Sequence, residues 1–457
     1  MPNGQNLKAE GAFMRDRLIA MRNTVLALAV VSSLALAQPD PAVATGRKAL
    51  DYLLAERYTE LSTMFNAAMK ENLTMDVLRG RVHVELSGFG KAGNIGSPVV
   101  AHENDFTLVS FPVDFALTKV TVEFRLEKSG ELAAIHFRPA DADVPTWHHP
   151  PYSKPEAFVE RTVTIGTAPW KLDGTLTVPA GKGPFPAVIL VHGPGPNDRD
   201  ETLRANKVFA DIAEGLSSRG IAVLRYDKRT RVYGRQMSET GFTLREETID
   251  DALAAAVFLR AQPEINSGRI YLLGHSLGGY AAPRIAREDR KLAGLIFLAA
   301  NARPVQEVIL EQTEYMGSTG AVPAEEIQKR LDLLKAETAK VKALAPGADN
   351  PPVVMGLPSA WLVDVKDYDP AALASHLTIS ILVLQGERDF QVSMKDFGRW
   401  KAALGGRANV SFHTYPELNH LFMAGTGKSL PTEYLVPSNV APAVIDDIAK
   451  WIAAAKP

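Results

Sequence analysis

The sequence predicts an α/β protein: a mostly parallel sheet covered by helices on both faces, preceded by a smaller α+β unit. Three observations predict it. After Phe158, short runs that are apolar on both faces alternate with helical patterns, as strands of a covered parallel sheet must. Before Phe137, a helical pattern is followed by strands with no helix between them, the order of a small α+β unit. Between them in character stands Ile270–Leu273, an apolar run that leads straight into Gly274-His275-Ser276-Leu277-Gly278 and then a helical pattern.

The whole chain sets the limits. Its 457 residues exceed one ordinary domain. Hydrophobic residues make up 46% and charged residues 22%, enough for a large core. Formal charge is −2 with no basic stripe, which argues against a nucleic-acid partner. There is no cysteine, which excludes disulfides, thiolate catalysis and Cys-ligated zinc.

Taken in order, Arg15, Arg17 and Arg22 precede an apolar run from Thr24 to Leu36, and Ala35-Leu36-Ala37 precedes Gln38. Basic region, short apolar core and small-x-small site read as a secretory signal over residues 1–37, cleaved after Ala37. That implies a periplasmic or secreted protein with no stable membrane span after cleavage; Met14 and Met21 are alternative starts. An uncleaved anchor or a buried helix is the competing reading, but the run is shorter than the ~20 residues a spanning helix needs.

Residues 41–140 form the small unit. Ala42–Lys70 is helical in pattern, with Leu50, Leu53, Leu54, Tyr58, Leu61, Met64 and Phe65 on one apolar face. Strands are expected at Pro98–Ala101, Phe106–Val113, Val120–Leu126 and Leu132–Phe137. By pattern and position this unit resembles the small curved-sheet domain of unknown function often fused in front of bacterial hydrolases. Residues 141–157 read as a proline-rich linker in which Trp147-His148-His149 is a solvated loop.

Residues 158–457 carry the larger unit. Arg161–Gly166 and Leu172–Val178 open it as an antiparallel pair. Strands follow at Ala187–Val191, Ile221–Tyr226, Arg269–Leu273, Leu292–Ala299, Ile379–Leu384 and Val410–Tyr415. Helices are expected at Ala205–Arg219, Glu246–Arg260 and Ser438–Ala455. Residues 303–375 have charged helical character and no convincing strand, the pattern of an inserted helical cap over the C-terminal edge of the sheet.

The chemistry gathers at strand ends. Glycines flank Ser276 because the turn between strand and helix has no room for a Cβ, so the serine is pushed to the tip. A serine hydroxyl needs a neighbouring base to attack. Gly386-Glu387-Arg388-Asp389 offers the acid; Asp389 is preferred, and Glu387, earlier in the turn and able to pair with Arg388, is its competitor. His420, in the turn after Tyr415, offers the base; His413, the other histidine beyond Asp389, lies inside a strand and reads as packed. His275 also reads as packed. Ser276, Asp389 and His420 then stand in the order nucleophile, acid, base. Backbone N–H groups of Leu277 and of the loop after Val191 are the candidate oxyanion donors.

That loop reads His192-Gly193-Pro194-Gly195-Pro196-Asn197-Asp198-Arg199-Asp200. With Arg225-Tyr226-Asp227-Lys228-Arg229 and the serine motif, it makes the stretch from Phe158 onward resemble the α/β-hydrolase superfamily. The branch it resembles is that of bacterial esterases related to serine-aminopeptidase-like and dienelactone-hydrolase-like proteins. The resemblance implies a triad of Ser276, Asp389 and His420 acting through an acyl-enzyme on small or medium esters, with neither metal nor organic cofactor. The residue after His-Gly often donates the second oxyanion N–H in this superfamily; here it is Pro194, which has none, so Gly195 is the substitute. A peptidase or amidase with the same triad and a non-catalytic scaffold are the competing functions. The cap offers no obvious acidic pair to hold a peptide amine; Asp364, Asp367 and Asp369 are the acids that stay open for it. The loop charges Asn197–Asp200 and Asp227–Arg229 read as structural.

Overall fold

In a computed structural model, the chain is described over residues 40–72, 78, 86, 89, 91–116, 118–139, 147–234, 236–237, 241–320, 322–348, 350 and 353–455. The expected signal over residues 1–37 lies outside these, as does part of the linker, residues 141–146. No helix among the described residues is long and apolar enough to cross a membrane.

Pro41–Pro457 packs as one unit containing two large sheets. The first is five-stranded and antiparallel: β1 (Ala92–Ile95), β2 (Val99–Glu103), β3 (Phe106–Phe115), β4 (Lys119–Glu127) and β5 (Leu132–Pro139), with both β1 and β2 on β3. The expected helix from 42 to 70 is three helices instead, Pro41–Leu54, Tyr58–Thr63 and Ala67–Asn72. The apolar face survives the breaks: Leu50, Leu53, Leu61 and Phe65 pack on Val109, Phe111 and Phe124 of the sheet. Gly46 lets the helix approach the sheet closely, since a Cβ there would lie 3.0 Å from Val109.

The second sheet has eight strands in the order β6 (Phe158–Ile165), β7 (Leu172–Pro179), β11 (Ala222–Tyr226), β8 (Phe185–Val191), β12 (Ile265–His275), β13 (Gly294–Leu298), β16 (Ser380–Gly386) and β17 (Val410–Tyr415). From β11 to β17 all pairings are parallel; β6 and β7 are antiparallel. Both faces are covered, which is why the strands read as unbroken apolar runs. Ala187, Ile189 and Val191 of β8 join one core, while Val188 and Leu190 join the other. Two short hairpins complete the strands: β9 (Thr202–Leu203) with β10 (Asn206–Lys207), and β14 (Val353–Val354) with β15 (Leu357–Pro358).

Between β13 and β16 lie helices Val305–Ser318, Ala324–Ala343, Ser359–Val365 and Pro370–Ser375. They are tied down by polar contacts: Arg284 pairs with Asp364 at 2.8 Å, and Trp361 Nε1–H donates to Glu247 at 2.8 Å. One expectation gains a detail and one needs correction. The Trp147–His149 segment is a loop with both histidines exposed, as expected, but it is anchored: Trp147 Nε1–H donates to Asp211 (2.8 Å) and His149 Nδ1–H to Glu214 (2.7 Å), both on helix Val208–Ser217. His413 is not packed: it is exposed on edge strand β17, 3.4 Å from Asp447.

Candidate active site

β12 ends at His275, and helix Leu277–Glu288 begins one residue later. Ser276 joins them at φ 53°, ψ −116°. A non-glycine residue in such a conformation needs support from its surroundings; here Ser276 N–H donates to the Leu298 carbonyl (2.9 Å) and its own carbonyl accepts from Tyr280 N–H (3.1 Å). The flanking glycines are sterically required. A Cβ on Gly274 would strike the Gly278 backbone, one on Gly278 the Val191 carbonyl, and one on Gly279 the Ala300 side chain. Pro283 does not end the helix, which continues to Glu288.

Asp389 lies in the turn after β16 and is only 5% exposed. Its Oδ1 accepts the N–H groups of Gln391 and Val392 (2.8 and 2.9 Å), and its Oδ2 accepts Gln385 Nε2–H (3.0 Å) and His420 Nδ1–H (2.7 Å). His420 is buried in the turn after β17. Asn419 shapes that turn by accepting the Leu421 and Met423 N–H groups on Oδ1 (3.0 and 3.2 Å). Glu387 points elsewhere, accepting from Thr414 Oγ1 at 2.7 Å. Arg388 pairs with Glu433 rather than with Glu387. The structure thus brings Asp389 and His420 into direct contact and leaves Glu387 and His413 outside.

His275 links this pair to the serine turn. Its Nε2–H donates to the His420 carbonyl (3.1 Å), and the two rings lie 4.7 Å apart. Its Nδ1–H donates to Glu201 Oε2 (2.8 Å). Both partners are acceptors, so both ring nitrogens carry protons. Burial alone would depress the His275 pKa, but the Glu201 carboxylate overcomes it and the net shift is upward. Burial would raise Glu201, but His275 and the Gly193 N–H hold it below the usual range. His192 is different: burial pushes it down to about 4, so it is neutral and its Nε2–H donates to the Asp198 carbonyl (3.0 Å).

The loop after β8 lies against the serine: a Cβ on Gly193 would sit 3.4 Å from Ser276 Cβ. Gly193 N–H is already committed to Glu201 Oε1 (2.6 Å), and Pro194 has no N–H. Gly195 stands at φ 92° with open space beside its Cα; its carbonyl accepts Thr230 Oγ1–H (3.1 Å). Leu277 opens the helix, where first-turn N–H groups have no intrahelical acceptor. The charged residues around the loop hold it in place. Arg199 grips Asp227 (2.6 Å), Lys207 pairs with Asp200 (3.0 Å), and buried Lys228 donates to the Gly193 carbonyl (2.7 Å) and pairs with Glu247 (2.6 Å). Arg229 pairs with buried Asp251. The sequence reading missed Glu201, which belongs to no motif; only its place just after the charged loop hinted at a role. Among the described residues, no group of three or more His, Asp or Glu side chains is arranged to hold a metal.

The family model described as serine aminopeptidase, S33 matches residues 184–426. The chain belongs to this family of α/β-hydrolases. Its eight strands, taken in chain order, lie in the sheet as 1-2-4-3-5-6-7-8. Esterase EstD of Thermotoga maritima is 36% identical over 406 residues, 88% of this chain and 93% of that protein. Among solved structures, Est1E from Butyrivibrio proteoclasticus is similar at 18% identity, covering 64% of this chain and 99% of that one, with a TM-score of 0.42. An esterase of Pyrococcus furiosus is similar at 17% identity, covering 68% and 96%, with a TM-score of 0.43.

Proposed function

We propose that this protein is a serine carboxylic-ester hydrolase that acts through an acyl-enzyme on small or medium esters. The observation that carries the reading is the buried 2.7 Å hydrogen bond between Asp389 and His420, in turns that follow parallel strands β16 and β17 just as the strained Ser276 turn follows parallel strand β12. The 36% identity to an esterase supports ester chemistry. In this reading His420 takes the Ser276 proton as the oxygen attacks the ester carbonyl. Asp389 keeps the imidazole in the tautomer with Nδ1–H and balances its charge when Nε2 is protonated. Leu277 N–H and Gly195 N–H hold the oxyanion. His420 then gives its proton to the departing alcohol, and water repeats the cycle on the acyl-enzyme.

Peptidase activity is the weaker reading because two of the three acids suited to hold a peptide amine are engaged, and the third, Asp367, stands exposed beside Lys366 at 3.8 Å. Asp364 binds Arg284, and Asp369 caps helix Pro370–Ser375 and pairs with Arg399 (2.8 Å). Domain limits of 41–140 and 158–457, joined by 141–157, remain our reading, as does the cap at 303–375. The test is turnover of p-nitrophenyl esters against aminoacyl anilides, with Ser276→Ala expected to lower kcat by ~10⁴-fold or more. Fluorophosphonate labelling should vanish in the same variant. Unchanged turnover in Ser276→Ala would remove the serine from the mechanism, and faster anilide than ester cleavage would favour the peptidase.

A further inference from the structure

Glu201 is buried yet stands at φ 48°, a left-handed conformation that a glutamate adopts only when its surroundings demand it. Both its oxygens are used. One accepts the Gly193 N–H of the oxyanion loop (2.6 Å); the other accepts His275 Nδ1–H (2.8 Å). His275 precedes Ser276, and its second N–H reaches the His420 carbonyl (3.1 Å). One chain of hydrogen bonds therefore runs from the oxyanion loop, through the residue before the nucleophile, to the turn that carries the base.

Resting on the serine-hydrolase reading above, we infer that Glu201 and His275 form a second carboxylate–imidazole pair, a positioning pair that holds the oxyanion loop and the base turn in register on Ser276. Neither residue touches the reacting atoms in this role. Three segments distant in sequence must agree in position for the reaction, and a misplacement of about 1 Å can cost ~10²-fold in rate. A buried ion pair is a weak source of stability, so stability alone does not account for one directly behind the nucleophile. The geometry also explains why Gly193 is not free to serve as an oxyanion donor: its N–H is the handle by which Glu201 holds the loop.

The pair makes a distinctive demand on its variants. In Glu201→Gln the amide oxygen still accepts from Gly193, and the amide N–H donates to the Nδ1 of a neutral His275. That imidazole keeps its Nε2–H on the His420 carbonyl, so all three bonds persist without charge. Glu201→Ala removes two of them. The experiment is steady-state hydrolysis of p-nitrophenyl butyrate by the full chain, with urea unfolding confirming that each variant is folded. Glu201→Ala is expected to lower kcat by ~10²-fold with KM changed by less than about threefold, and Glu201→Gln to recover kcat to within about tenfold of the parent. If Glu201→Ala does not fold, His275→Phe keeps a ring but no donors, and a kcat loss of ~10-fold or more at nearly constant KM is expected. Parental kcat in the Ala variant, or in His275→Phe where that replaces it, overturns the inference; so does a Gln variant as impaired as Ala. An active Ser276→Ala would instead overturn the wider reading, so the two failures are separable.

Discussion

At the scale of single residues, the site is built by groups that have no alternative. All four neighbours of the Asp389 carboxylate are donors: two backbone N–H groups, Gln385 Nε2–H and His420 Nδ1–H. An asparagine amide would turn its own N–H toward one of them. The least costly relief is for His420 to release its Nδ1 proton and carry one on Nε2, the tautomer that cannot take a proton from serine. Asp389→Asn should therefore fold and lose about 10³- to 10⁴-fold in kcat, read from ester hydrolysis at neutral pH. Glycines divide in the same physical way. Gly278→Ala would push a methyl into the Val191 carbonyl, so loss of the folded, active protein is expected on expression and assay. Gly398, exposed inside helix Met394–Leu404, has open space around it. Gly398→Ala should raise stability by about 0.4–1 kcal/mol in urea unfolding and leave kcat unchanged.

At the scale of elements, Trp147–Tyr152 behaves as a strap on helix Val208–Ser217. Trp147 and Asn439 both donate to Asp211 Oδ1 (2.8 and 2.9 Å), Val440 N–H donates to Oδ2 (2.8 Å), and Tyr152 O–H donates to the Val440 carbonyl (2.8 Å). Burial still pushes Asp211 up to about 7, against these donors. Trp147→Phe keeps the ring body but removes one donor, so it should cost about 1 kcal/mol. The charged form of Asp211 loses most, so the cost should be larger at pH 8 than at pH 5, as urea midpoints at the two values would show. The strap was not legible in the sequence. Its contacts are single polar bonds to residues more than sixty positions away, which leave no periodic trace. The parallel strands were legible because burial on both faces forces unbroken apolar runs. Helix limits moved where local structure intervened, as at Arg245–Ile249, where a wider π turn precedes helix Asp250–Arg260. In the site, Ser276 could be read from the steric need for glycine. Asp389 and His420 could be read from their places after strand ends. Glu201 could not, because its role depends on a backbone conformation and on two partners in other segments.

At the scale of the whole molecule, the buried titratable groups set how stability follows pH. The unfolded chain releases histidine protons near 6.5 and aspartate protons near 3.8. His192, held neutral down to about 4, binds one proton fewer when folded, so it makes stability rise with pH between about 4 and 6.5. Burial raises Asp211 to about 7 and Asp251 to about 6; both keep an extra proton when folded and together outweigh His192 by one proton between about pH 4 and 6. Above 6.5 His192 drops out of the sum. His275, raised against burial by Glu201, keeps its proton in the folded state after the unfolded chain has lost it, and the tail of Asp211 acts in the same direction. Stability should therefore fall as pH rises from about 4 to 6 and go on falling from pH 6.5 to 8.5, with a slope of up to about 1.4 kcal/mol per pH unit for each extra proton held. Urea midpoints across that range measure it. Glu201→Gln removes the charge that keeps His275 protonated, so its midpoint should fall less over the same interval. A variant that declines as steeply as the parent would place the lost protons on other groups and leave the Glu201–His275 pair without a charge of its own.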